Sequence, residues 1–161
     1  MKYLIILLSI LFTFTAQSAN FPDYLGLVND YENVLSDKQE KSLTKLLEKN
    51  ETAHQVKIIL VSTKTFAPAD NYRKYILGLF EHWKMNSSNT KKGILVLVSK
   101  NKQTLKIIPG TEMNVIFSEA KVREVVENVM SPKFLKEKYF SGLKKGLKSM
   151  VNTIKAYNKA K

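Results

Sequence analysis

A small three-layer α/β/α sandwich is predicted for this chain, with helices on both faces of a short mixed sheet. Three observations carry the prediction. Val56 to Ser62 and Ile94 to Val98 are apolar runs rich in branched residues, separated by a helical stripe. Strands joined through a helix should run parallel with a right-handed crossover. The polar stretch Lys100-Asn101-Lys102-Gln103 then links Ile94 to Val98 with Leu105 to Ile108 as a hairpin. At 161 residues the chain fits one such domain and is too short for two ordinary ones.

The elements follow in chain order. Lys2, the eleven-residue apolar run Leu4 to Phe14 and the small residues of Ala16-Gln17-Ser18 have the form of a secretory signal peptide over residues 1–18. A bilayer span needs ~20 apolar residues, so this run reads as a signal core and not as an anchor. Residues 19–161 are then one domain. Asn20 to Val34 reads as an irregular lead-in. Ser36-Asp37-Lys38-Gln39 is a capping-box pattern opening a helix that buries Leu43, Leu46 and Leu47 and ends near Asn50. Val56 to Ser62 is a buried strand.

Pro68 and Asp70 open the next helix, whose apolar stripe is Tyr72, Ile76, Leu79, Phe80 and Trp83. Lys84 to Lys92 is a polar loop. Ile94 to Val98 is too continuously apolar for a half-exposed strand and belongs in the middle of the sheet. Pro109 stops the hairpin's pairing. Ser118 caps a helix marked by Val122, Val125, Val126, Val129 and Met130, which Pro132-Lys133-Phe134 breaks. Leu143, Leu147, Met150, Val151 and Ile154 mark a last helix running to near Tyr157.

Composition excludes several function classes. The chain has no cysteine, which rules out a disulfide scaffold, a thiol nucleophile and a thiolate zinc site. It has no Gly-rich phosphate loop, no His-Glu-x-x-His, no Gly-x-Ser-x-Gly elbow and no EF-hand spacing. Its two histidines, His54 and His82, fall in different elements, and nothing selects a Ser, His and Asp that would meet.

Charge is the strongest compositional signal. The chain holds 26 lysines and arginines against 14 acids. Residues 132–161 contain nine lysines and one acid, Glu137, whereas residues 21–53 contain seven acids and four lysines. A basic amphipathic last helix suits an anionic membrane surface or an acidic envelope protein, with Lys144, Lys145 and Lys148 as its contact residues. The alternative is an ordinary solvated face. Nucleic acid fits poorly, because Arg73 and Arg123 are the only arginines and forked guanidinium contacts dominate its recognition.

Five landmarks in order resemble the TPM domain family. They are Val28-Asn29-Asp30-Tyr31, a helix–strand–helix run ending in Trp83, the Lys92-Gly93-Ile94-Leu95-Val96-Leu97-Val98 strand, the Ile107 to Glu112 turn, and Pro132-Lys133-Phe134 followed by Tyr139 to Leu143. The resemblance covers about residues 27–154. It implies an exported or lumenal α/β sandwich, sometimes binding calcium or another divalent ion, often an accessory factor of membrane complexes, and in a plant member associated with acid phosphatase activity.

The resemblance also implies an ion site drawing on the acid of the Val-Asn-Asp motif, an acid before the Gly-hydrophobic strand, and acids near the glycine turn. Asp30 and Glu112 keep two of these positions, but Lys91 and Lys92 stand where an acid is expected. Calcium takes six to eight oxygens and magnesium needs one or two carboxylates, so exchanging an acid for a lysine predicts a degenerate Ca2+ or Mg2+ site, with a salt-bridge or anion-holding cluster in its place. Asp30 also reads as a helix or turn cap, and Glu112 as an exposed turn acid.

The expected function is that of an exported, periplasmic or secreted binding module of the cell envelope, monomeric and only peripherally in contact with membrane. The alternative is a weak divalent-metal-dependent acid phosphatase, for which the sequence names no catalytic residue.

Overall fold

Four strands form one mixed sheet, in the order β1 (Val28–Asp30), β2 (Ile58–Ser62), β3 (Ile94–Ser99) and β4 (Thr104–Pro109). The computed structural model describes residues 21–69, 71–83 and 91–160. The segment 1–18 expected to be a signal peptide, Asp70 and most of the loop at 84–92 lie outside the described residues. The first three strands are parallel and β4 is antiparallel to β3, as the spacing of runs predicted for the crossover and the hairpin.

β1 corrects the sequence reading, which has an irregular lead-in there. Val28, Asn29 and Asp30 pair with Leu60, Val61 and Ser62. Three residues, two of them polar, carry no period-2 signal; backbone pairing with a strand thirty residues away makes them a strand. Asn29 is fully buried, and its Nδ2 donates to the Gly26 carbonyl at 2.7 Å.

Helix α1 (Asp37–His54) opens with the predicted capping box, in which the Ser36 N–H donates to Gln39 Oε1 at 3.0 Å. It runs past the expected end at Asn50. Asn50 is buried and donates to the Val56 carbonyl at 2.7 Å, and the chain leaves the helix at Gln55, which has a φ of 54°. β2 accordingly starts at Ile58, two residues later than expected.

Helix α2 (Tyr72–His82) is capped by Asn71, whose side chain accepts from the Arg73 and Lys74 amides. Tyr75, Ile76 and Leu79 are its buried residues. Side chains alternate across a sheet. Ile59, Leu95 and Ile108 are register partners and line a groove with Ile76, Leu77 and Phe80, so α2 covers that face. Leu105, of opposite parity to Ile108, lines a cavity with Phe134 on the other face. Helices therefore cover both faces of this sheet.

After β4 come a short 3-10 turn (Thr111–Met113), α3 (Glu119–Glu124), a π-helical turn (Val125–Met130) and α4 (Ser131–Phe134). Of the expected stripe, Val125 and Met130, five residues apart, are fully buried, while Val122 and Val126 are partly buried against the core, and the Ser131 N–H bonds the Val126 carbonyl. An i→i+5 turn brings Val125 and Met130 to one side. Pro132 does not break this run. It lies at the start of α4, directly after the π turn. The break comes at Glu137, whose φ is 55°. Helix α5 (Tyr139–Lys159) then packs on α1, the π turn and α4, burying Leu143, Leu147, Met150 and Ile154.

Candidate functional site

Each parallel strand ends in a buried polar residue: Asp30 in β1, Ser62 in β2 and Ser99 in β3. In open α/β sheets, this carboxyl edge is where ligands bind. Both oxygens of Asp30 are committed to donors. Oδ1 accepts from the Val34 N–H at 3.1 Å and from the Ser62 hydroxyl, and Oδ2 accepts from the Leu35 N–H at 2.8 Å. Ser62 Oγ in turn accepts from the Glu32 N–H at 3.1 Å. Asp30 thus closes the turn that leads from β1 into α1.

Glu32, which the sequence does not single out, grips the far side of the same edge. Its two carboxylate oxygens accept from the consecutive Lys100 and Asn101 amides, each at 2.8 Å. Asn101 Nδ2 donates to the Lys64 carbonyl at 3.0 Å. Three loops are therefore tied together, those after β1, β2 and β3. Beside them, burial pushes the Tyr31 phenol well above the ordinary tyrosine range, with the Tyr75 phenol and the Asp23 carboxylate adding to the rise. The Tyr31 hydroxyl donates to the Asp23 carbonyl.

The sequence-proposed cluster is not gathered at one point. Asp30 pairs with Ser62, which pairs with Val98, whereas Gly93 and Gly110 are bonded to each other at the other end of β3. Four strand residues at ~3.3 Å each separate these ends by about 13 Å. Lys91, Lys92 and Glu112, all exposed, belong to that far end. No one ion or phosphate touches Asp30 and these three together.

The profile of the TPM domain matches residues 28–153. The chain belongs to the TPM domain family.

Three solved structures share the fold of this TPM domain. The N-terminal domain of a P. gingivalis protein is 20% identical with a TM-score of 0.70, over 81% of this chain and 83% of that one. BA42 from Bizionia argentinensis is 19% identical with a TM-score of 0.66, over 79% and 86%. The N-terminal domain of cg2496 from Corynebacterium glutamicum is 14% identical with a TM-score of 0.58, over 88% and 84%. No curated protein matches.

The divalent ion suggested by the TPM resemblance does not suit the residues at the carboxyl edge. Both oxygens of Asp30 and of Glu32 already accept N–H donors, which offset part of each carboxylate's charge. Among the described residues no three or more acids or histidines converge as a ligand set. The donor pattern is that of a pair of backbone caps.

The third predicted feature, the basic surface of this TPM domain, lies on α5. Lys145, Lys148, Lys155 and Lys159 are exposed, while Lys144 is half-buried with its Nζ 5.2 Å from the Phe140 ring centroid. Among the described residues no helix is long and apolar enough to cross a membrane.

Proposed function

We propose that this TPM domain is an exported accessory module of the cell envelope that binds an anionic partner through the outer face of α5. The observation that carries the reading is the helix itself: its 21 residues include five lysines and no acid. Lys145, Lys148, Lys155 and Lys159 recur at spacings of three, seven and four, which places them on one side of an α-helix. The buried side carries Leu143, Leu147, Met150 and Ile154. A lysine row unrelieved by carboxylates creates a field that attracts acidic protein surfaces and anionic head groups alike. Any membrane contact is peripheral.

The test is a triple variant, Lys145→Gln, Lys148→Gln and Lys155→Gln, with binding measured to vesicles containing phosphatidylglycerol and to envelope extract. Binding should weaken steeply with salt in the native chain and fall at least about tenfold in the variant. Loss on vesicles identifies lipid as the anion, and loss on extract alone identifies a protein. Unchanged binding to both removes α5 as the contact surface. The phosphatase reading gains no support from the geometry, since Lys91 and Lys92 stand far from Asp30.

A further inference from the structure

A cavity of about 500 Å³ opens beside the carboxyl end of β3, between the β3–β4 turn and the loop joining α4 to α5. Its size falls within the range of small-ligand pockets. One wall is apolar, formed by Leu105, Phe134 and Tyr139, with the two rings 5.0 Å apart. The rim carries opposite charges. Lys100 Nζ lies 5.6 Å from the Tyr139 ring centroid, and Glu137 lines the cavity from the loop between α4 and α5. Among the described residues neither Lys100 nor Glu137 has an ion-pair partner.

The backbone sets the two turns that flank the cavity. Four non-glycine residues among those described have positive φ, and two of them, Gln103 at 46° and Glu137 at 55°, line this cavity. Glycine adopts that conformation at lower cost. Gln103 closes the β3–β4 turn, its N–H bonded to the Lys100 carbonyl at 3.2 Å, and Glu137 ends the helical run, its N–H bonded to the Phe134 carbonyl at 2.9 Å; both side chains are exposed.

We infer that this cavity binds a short zwitterionic peptide, with its carboxylate on Lys100, its ammonium on Glu137 and an apolar side chain against Phe134 and Tyr139. A ligand bearing a single charge is repelled by one of these two side chains; a zwitterion with an apolar body satisfies both charges and the wall. The site is separate from the lysine row of α5 and goes beyond the anionic-partner reading, so either can fail alone.

The experiment is an amide NMR titration of the full chain with leucyl-phenylalanine, its N-acetyl form and its C-terminal amide. The dipeptide should give saturable shifts at Lys100, Gln103 and residues 134–139, and each blocked form should bind about tenfold more weakly. Lys100→Gln should abolish the preference for the free carboxylate. Glu137→Gly should abolish the preference for the free amine while raising Tm, because glycine relieves the backbone; a lost fold cannot then explain lost binding. No saturable shift at these residues with millimolar dipeptide overturns the inference. Equal affinity for all three forms, or a preference unmoved by either substitution, overturns it as well.

Discussion

Asp30 and Glu32 do the same physical work two residues apart, and their substitutions should be told apart by burial. Asp30 is only 9% exposed, and losing its carboxylate leaves the part-buried Val34 amide and the buried Leu35 amide without their acceptor. Asp30→Ala should therefore cost about 2–3 kcal/mol in urea unfolding, with Asp30→Asn, which keeps an acceptor, losing less. An unfolding midpoint equal to the native one would show that the turn does not depend on this carboxylate. Glu32 is partly exposed and its amide partners lie on an exposed turn. Glu32→Ala should leave global stability nearly intact while hydrogen exchange at Lys100 and Asn101 accelerates. The capping role of Asp30 is one of the two readings its sequence context allows. The role of Glu32 was not legible, because its partners lie 68 and 69 residues further along the chain.

Among the elements, the contact between α5 and the π turn is the tightest to test. A Cβ placed on Gly146 would lie 2.4 Å from Met130 Cγ, and Met130 is fully buried. Gly146→Ala gains ~1 kcal/mol of helix propensity, yet overpacking costs ~1–3 kcal/mol. A net loss of about 1 kcal/mol is expected in thermal or urea unfolding. Pairing it with Met130→Ala should give a double variant less destabilised than the sum of the two singles, since the clash disappears with the longer side chain. Additivity would mean that the helices do not press on each other at this point. Local signals served well at this scale: the Ser36 capping box, the wholly buried β3 and the β3–β4 turn all stand where the sequence puts them. They failed where an element depends on a neighbour. Val122, Val126 and Val129 look equivalent to Val125 in sequence, but the surface of α5 and β4 selects Val125 and Met130 and sets the turn's period.

For the molecule as a whole, alkaline pH is the expected weakness. Burial, the first cause in each case, raises the phenols of Tyr24, Tyr31 and Tyr75 above the ordinary value of 10.0. A folded-state pKa raised above the unfolded one means that the native chain holds its proton more tightly. The associated stability is fully present below pH 10.0 and is lost as pH rises beyond it. Tm should fall steeply above that pH, and Tyr31→Phe should flatten the fall; parallel curves for the two proteins would exclude Tyr31 as the cause. The sequence by itself determined the family, the α/β class, the central strand, the hairpin and the lysine-rich last helix, because each rests on composition or on periodicity within one segment. Tertiary structure alone decided that β1 exists, that Asp30 and Glu112 stand at opposite ends of the sheet, and that Lys100 and Glu137 border one cavity. These are relations between segments far apart in the chain. Strand register and helix docking set them, and no local pattern encodes the distance between two such residues.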